Sequence, residues 1–154
     1  MKRVYIAGSW DLFHLGHVKF LEVAHGIALK NKAKLIVGIN TDKLYRKYKR
    51  KEPVIPFKYR KKMLGLLKWI DEIVPVNVFN PLSMVKRYKI DIYLTSKEWE
   101  DGEQHIKRYM EGKGGKAIFL PYFKGISATE IRDKIVQNYA KKQLKYCAEC
   151  HKRL

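Results

Sequence analysis

The chain has 154 residues, 46% of them hydrophobic and 12% aromatic, and its 33 Lys and Arg against 15 Asp and Glu leave a formal charge of +18. This is a globular composition of single-domain size, which excludes a disordered chain, and the excess of cations implies anionic partners: phosphates, nucleic acid or an acidic surface. After Lys2 and Arg3 the apolar stretch is too short for an export signal and no run reaches membrane-spanning length, so a cytoplasmic protein is expected.

In chain order, Arg3 to Gly8 reads as a short buried strand. The stretch from about His17 to Lys30 then places Val18, Leu21, Ala24, Ile27 and Leu29 at near-helical spacing, and Lys34 to Asn40 reads as a second strand. This is a βαβ unit, which implies a parallel sheet. Thr41 to Lys51 reads as a mobile loop carrying a basic run. Pro53 and Pro56 precede a helix expected to reach Trp69, with Pro56 suited to its start. Ile73 to Val76, Ile90 to Leu94 and Ala117 to Leu120 supply three more strands, separated by a short helix over Pro81 to Tyr88 and another near Glu103 to Met110. A last helix starts near Ser127, where Ser127 and Glu130 have capping-box spacing. The expectation is a single α/β, Rossmann-like domain over residues 1–140, with a five-stranded, mostly parallel sheet flanked by helices and a basic tail over 141–154.

The unusual residues fall after strands: residues 9–17, 41–51, 96–99 and 122–129. Open α/β sheets bind ligands at the carboxyl ends of their strands. In the first of these loops Gly8 permits a close turn, Gly16 removes a side chain where the next helix begins, and His14 and His17 flank that opening. A helix amino terminus favours anions, and two imidazoles add donors. The same pair also fits plain helix-start residues or a His-x-x-His metal pair, although no carboxylate or cysteine at ligand spacing supports a metal site.

The segment Gly8-Ser9-Trp10-Asp11-Leu12-Phe13-His14-Leu15-Gly16-His17 resembles the first signature of the cytidylyltransferase-like superfamily, and residues 125–132, with Gly125, Ile126, Ser127, Thr129 and Arg132, resemble its second. The two stand in the right order, about a hundred residues apart, and the resemblance covers roughly residues 3 to 136. Within the superfamily, Thr41-Asp42, Trp69 to Pro75, Glu98-Trp99-Glu100 and Gly125-Ile126-Ser127 are most similar to the glycerol-3-phosphate cytidylyltransferase group, itself akin to the phosphocholine and phosphoethanolamine enzymes.

The resemblance implies an enzyme, usually a homodimer, in which a phosphate monoester oxygen attacks the α-phosphorus of CTP and pyrophosphate leaves. It implies four catalytic residues: His14, His17 and Lys49 act on the transferring phosphate, and Arg132, with its helix start, holds the β- and γ-phosphates. It implies nucleotide contacts from Gly8, Ser9, Trp10, Asp11, Phe13, Gly16, Arg60, Glu98, Trp99, Tyr122, Gly125, Ile126, Ser127 and Thr129, and magnesium carried by the triphosphate with no metal held by the protein itself. Asp11 also reads as a brace for its loop. Lys47 is the second choice to Lys49, because five cations crowd that run.

Two departures fall in substrate-facing loops. Ser96-Lys97-Glu98-Trp99 stands where the close family has Gly-Asp-Asp-Trp, and Tyr122-Phe123-Lys124 stands where it has Arg-Thr-Glu. They leave the acceptor open among glycerol 3-phosphate, phosphoethanolamine and phosphocholine, and keep ATP as a rival to CTP, as in an adenylyltransferase of the FAD synthetase or pantetheine-phosphate type. The +18 charge, with Tyr45 and Tyr48 among cations, keeps open a nucleic-acid-binding protein as a rival of another class. In the tail, Cys147, Cys150 and His151 offer three zinc ligands that need a fourth, or two reduced thiols.

Overall fold

The structure, a computed structural model, describes residues 1–150 except 122 and 124, and only the backbone over 141–150. The expected ligand Tyr122 and the Cys147, Cys150 and His151 group lie outside the described residues and side chains.

Five strands, β1 (Lys2–Gly8), β2 (Ala33–Asn40), β3 (Glu72–Val76), β4 (Ile92–Ser96) and β5 (Lys116–Leu120), form one sheet in the order β3-β2-β1-β4-β5. Every neighbouring pair is parallel, so the sheet is wholly parallel. The helices are α1 (Leu15–Lys30), α2 (Asp42–Lys49), α3 (Phe57–Leu64), α4 (Leu82–Arg87), α5 (Gln104–Gly112) and α6 (Ala128–Cys150). A single turn of 3-10 helix, Lys97–Trp99, follows β4.

Because both faces of the sheet are covered, the central strands read as continuous apolar runs rather than as alternating ones. On one face Val4, Ile6, Leu35, Val37, Ile39, Ile92 and Leu94 pack under α1 and α3. On the other, Tyr5, Ile36, Val74, Val76 and Tyr93 pack under α2, α4 and α5. Successive residues of one strand thus belong to different cores, as the two-residue period requires. Asp71 and Asp91 pin strand starts by accepting the N–H groups of Leu35 and Arg3, each at 2.8 Å.

The chain leaves β1 toward β2 and β3, then returns to the other side of β1 as β4 and β5. That reversal opens a crevice between the carboxyl ends of β1 and β4, the switch point at which such sheets take ligands.

Four elements differ from the sequence reading. Residues 42–49 form helix α2 and not a loop. Thr41 accepts the N–H of Leu44 at 3.4 Å as its cap, while Leu44 and Tyr45 are buried beneath it. The helix after Pro56 stops at Leu64, where Gly65 ends it, instead of reaching Trp69. Strand β4 runs Ile92–Ser96, two residues later than expected at both ends. At the far end, α6 continues past residue 140 to Cys150.

Candidate active site

The loop after β1 is bent tightly. Trp10 (φ 55) and Leu12 (φ 47) both sit in the left-handed region, which costs non-glycine residues roughly 1–2 kcal/mol each. The strain is held by burial: Trp10 is 2% exposed and its indole N–H donates to the carbonyl of Gly38 at 2.8 Å. Asp11, also 2% exposed, accepts the N–H groups of Val54 at 3.0 Å and Ile55 at 2.9 Å. The turn thereby aims residues 14 to 17, at the start of α1, into the crevice.

His14 precedes the first residue of α1 and His17 lies one turn on, with their rings stacked 3.8 Å apart. The His14 N–H donates to His17 Nδ1 at 3.3 Å, so the neutral His17 ring carries its proton on Nε2. Trp10 and Phe13 flank the same ring at 5.4 and 5.6 Å. Burial among these rings, then the neighbouring His14, pushes the His17 pKa down to about 4, against a smaller upward pull from Asp11. His14 is also lowered, chiefly by burial, with Glu130 opposing. Both rings are therefore neutral near pH 7, and each offers an N–H without bringing a full charge.

The two sequence signatures meet here. Gly16 has no side chain where a Cβ would stand 3.0 Å from the His14 ring and 3.3 Å from the Ile126 carbonyl, so α1 and the loop before α6 close against each other. Gly125, at φ 127, makes the turn that brings this loop round. Phe20 and Phe123 pack edge to face at 6.2 Å across the same seam. Ser127 accepts the N–H of Glu130 at 3.1 Å, which caps α6. Arg132, one turn further, donates through Nη2 to Asp11 Oδ2 at 2.5 Å and to the Tyr45 hydroxyl at 3.0 Å. Its remaining N–H groups have no partner among the described residues. The amino-terminal ends of two helices, two imidazoles and a guanidinium thus face one space, an arrangement suited to a polyphosphate.

That space is a cavity of about 730 Å³. Of the expected site residues, Gly8, Ser9, Asp11, His14, Gly16, His17, Lys49, Glu98, Trp99, Ile126, Thr129 and Arg132 line it. Lys49 stands at the end of α2 with its ammonium 5.4 Å from the Tyr48 ring, whereas Lys47 is not in the lining. Trp99 is 44% exposed and meets Phe79 at 6.0 Å on the rim.

Five residues expected as nucleotide contacts, Trp10, Phe13, Arg60, Gly125 and Ser127, stand outside the lining and hold its surroundings in place. Trp10 is turned into the core and Phe13 against His17, while Gly125 and Ser127 act through the turn and the helix cap. Arg60 is 1% exposed; it donates to the carbonyls of Ile55 at 2.7 Å and Asn40 at 2.9 Å and also to that of Ser9, and pairs with Asp42 at 2.6 Å. Its guanidinium is a latch tying together the loops after β1 and β2. Asp11, although in the lining, directs its oxygens to Arg132 and to the backbone N–H groups of Leu12, Val54 and Ile55, so it braces the loop.

The sequence reading passed over the cavity's other end. Asn40, Tyr5, Tyr48, Phe79, Tyr93 and Glu103 also line it. Tyr48 hydrogen-bonds Ser9 at 2.5 Å and accepts from Asn40 at 3.1 Å. The spacing of Leu44, Tyr45 and Tyr48 was a helical signal hidden by the cations between them. Tyr5 and Tyr93 sit in apolar strands and carry no such signal.

Comparison with known proteins agrees with this geometry. The cytidylyltransferase-like family profile matches residues 5–134. A glycerol-3-phosphate cytidylyltransferase of Bacillus spizizenii is 32% identical, over 86% of this chain and 95% of its own. A probable ethanolamine-phosphate cytidylyltransferase of Encephalitozoon cuniculi is 33% identical, over 90% of this chain and 41% of its own. The crystal structure of a lipopolysaccharide core biosynthesis protein from Thermoplasma volcanium shares the fold, with a TM-score of 0.64 at 21% identity, covering 82% of this chain and 99% of that one. With both signatures joined in one crevice and the match spanning nearly the whole sheet, the chain belongs to the cytidylyltransferase-like family.

Proposed function

We propose that this chain transfers CMP from CTP to a small phosphorylated alcohol and releases pyrophosphate. The observation that carries the reading is the junction of the two signatures: His14 and His17 at the start of α1, and Thr129 and Arg132 at the start of α6, line one cavity. The relatives' names supply the cytidylyl group and two acceptors, glycerol 3-phosphate and phosphoethanolamine, and the sequence resemblance adds phosphocholine.

In this reaction an oxygen of the acceptor's phosphate forms a bond to the α-phosphorus, and the bond from that phosphorus to the bridging oxygen breaks as pyrophosphate leaves. With a second pKa of about 6, a phosphate monoester is already an anion near neutral pH, so no strong base is needed. The chain's task is to align the two phosphates and neutralise developing charge. The Nε2–H of His17 donates to the α-phosphate, and the His14 ring supports it. Arg132, held by Asp11, and the α6 start receive the β- and γ-phosphates, and Lys49 brings a cation to the transferring group. Magnesium enters with the triphosphate as part of the substrate, which lowers the charge these residues must offset. The enzyme works as a homodimer, as its family usually does.

The test is pyrophosphate release with each of the four nucleoside triphosphates against the three acceptors. Turnover with CTP supports the reading, and turnover with ATP alone replaces it by an adenylyltransferase. Salt-sensitive RNA binding without turnover of any pair rejects the enzyme.

A further inference from the structure

We propose that Tyr48 is a positioning residue: its hydroxyl anchors the last turn of α2 to the carboxyl ends of β1 and β2, and so sets where the Lys49 ammonium stands. The inference rests on the transferase reading and adds to it a residue that neither sequence signature contains.

Helix α2 has eight residues, too few to keep a fixed place by helix propensity. Its first half is secured by other means. Thr41 caps it, Leu44 is buried beneath it, and the Tyr45 hydroxyl accepts from Arg132 at 3.0 Å. The last turn is different. Arg46, Lys47 and Lys49 are exposed there, and Arg50 and Lys51 follow, so five cations within six residues repel one another. The pair between Arg46 and Glu52 is exposed on both sides and holds the turn only weakly. Of residues 46–49, only Tyr48 is half-buried.

The Tyr48 hydroxyl meets Ser9 Oγ, just after β1, at 2.5 Å and accepts from the side-chain amide of Asn40, the last residue of β2, at 3.1 Å. That amide also reaches Ser9 Oγ at 3.4 Å, which closes a three-residue network across two strand ends. The strand ends are themselves fixed, because the Arg60 guanidinium donates to the carbonyls of both Ser9 and Asn40. The Tyr48 ring adds contacts to Tyr45 at 5.7 Å and Phe79 at 5.8 Å.

Lys49 is the next residue, and its ammonium lies 5.4 Å from the centre of the Tyr48 ring, close enough for the ring face to attract it. A lysine on an exposed, unanchored turn spreads its charge over many positions. Here the anchored backbone and the ring together confine it to the cavity wall. A cation placed before the reaction neutralises developing charge without being ordered during it. A phenylalanine at residue 48 would keep the ring contacts and lose only the anchor.

The test measures kcat and the KM for CTP, with whichever of the three acceptors turns over fastest, in wild type, Tyr48→Phe, Asn40→Ala, Lys49→Ala and the Tyr48→Phe, Lys49→Ala double variant. Melting temperatures are taken alongside. Tyr48→Phe should lower kcat about tenfold, the worth of one hydrogen bond, and change the KM for CTP by less than about twofold. Asn40→Ala should lower kcat as well. In the Lys49→Ala background Tyr48→Phe should lower kcat no further, since the anchor has nothing left to position. An equal loss in both backgrounds makes Tyr48 merely structural and overturns the proposal. Unchanged kcat in Tyr48→Phe or in Lys49→Ala also overturns it, while cytidylyl transfer stands. No pyrophosphate release from CTP with any acceptor overturns the transferase reading and the anchor with it.

Discussion

Replacing Asp11 with asparagine keeps the side chain's shape and removes its charge. Every group facing this carboxylate is a donor: the N–H groups of Leu12, Val54 and Ile55 at 3.1, 3.0 and 2.9 Å, Arg132 Nη2 at 2.5 Å and, more weakly, the Tyr45 hydroxyl at 3.4 Å. An asparagine must turn its NH2 toward one of them, leaving a buried donor unpaired and the Arg132 charge without its partner. A lost charge-assisted bond is worth about 1.5–3 kcal/mol and an unpaired buried donor about 1–3 kcal/mol. Arg132 keeps 21% of its side chain exposed, so water recovers part of the first sum. A net loss of about 3 kcal/mol follows, which for a domain of this size lowers the melting temperature by roughly 10 °C. Thermal unfolding and steady-state kinetics on the same preparation check it. Turnover should fall with stability, because the same bonds hold Arg132 and the segment after α2 in place. The coupling to Arg132→Met in a double-mutant cycle should exceed about 1 kcal/mol. A melting point within about 2 °C of wild type, or additive effects of the two substitutions, would refute the brace.

Further outcomes follow from the same geometry. His17 should titrate near pH 4 by NMR and move upward when CTP binds, because phosphate charge favours the imidazolium. Since its folded pKa lies below the ordinary 6.5, the unfolded chain takes up the proton first as pH falls. Stability is thus fully present above 6.5 and is lost between there and about 4, by roughly 3 kcal/mol. Urea midpoints across that window measure this. Arg60→Met should lower the unfolding free energy by about 3 kcal/mol, since it takes the cation from Asp42, which keeps only the Phe57 N–H, and leaves three carbonyls without this donor. Normal stability with selectively weakened CTP binding would instead make Arg60 a ligand. Gly38→Ala should cost about 1–3 kcal/mol by driving a methyl into the Tyr5 hydroxyl and Val76, and Tyr5→Phe in the same chain should recover part of it.

The sheet was legible because buried parallel strands are short apolar runs bounded by glycine, proline and charge, and because α1 keeps a helical apolar spacing. Helix α2 was not, since its cations outnumber Leu44, Tyr45 and Tyr48 and the eye stops at the charge. The anion end of the site was legible for a different reason: Gly16, His14 and Ser127 act within one turn of their own backbone, so local spacing carries the signal. Arg60 and Trp10 lie in or near the same motifs, yet their partners are carbonyls on segments 5 to 51 residues away. Only the folded chain shows that one latches two loops and the other fills the core. The seat of the Tyr5 hydroxyl depends on Gly38 in the neighbouring strand, and no spacing within β1 reports that.

His17 carries the phosphate clamp most directly, its N–H held in the crevice by burial and by the bond from His14. Pyrophosphate release from CTP with a phosphorylated alcohol should be measured for wild type and His17→Ala, with melting temperatures alongside. Loss of one such donor typically costs about 100- to 1,000-fold in turnover, so the variant should fall by that factor and stay folded. Unchanged turnover in a folded His17→Ala protein would contradict the claim that this loop is the catalytic half of a phosphate clamp.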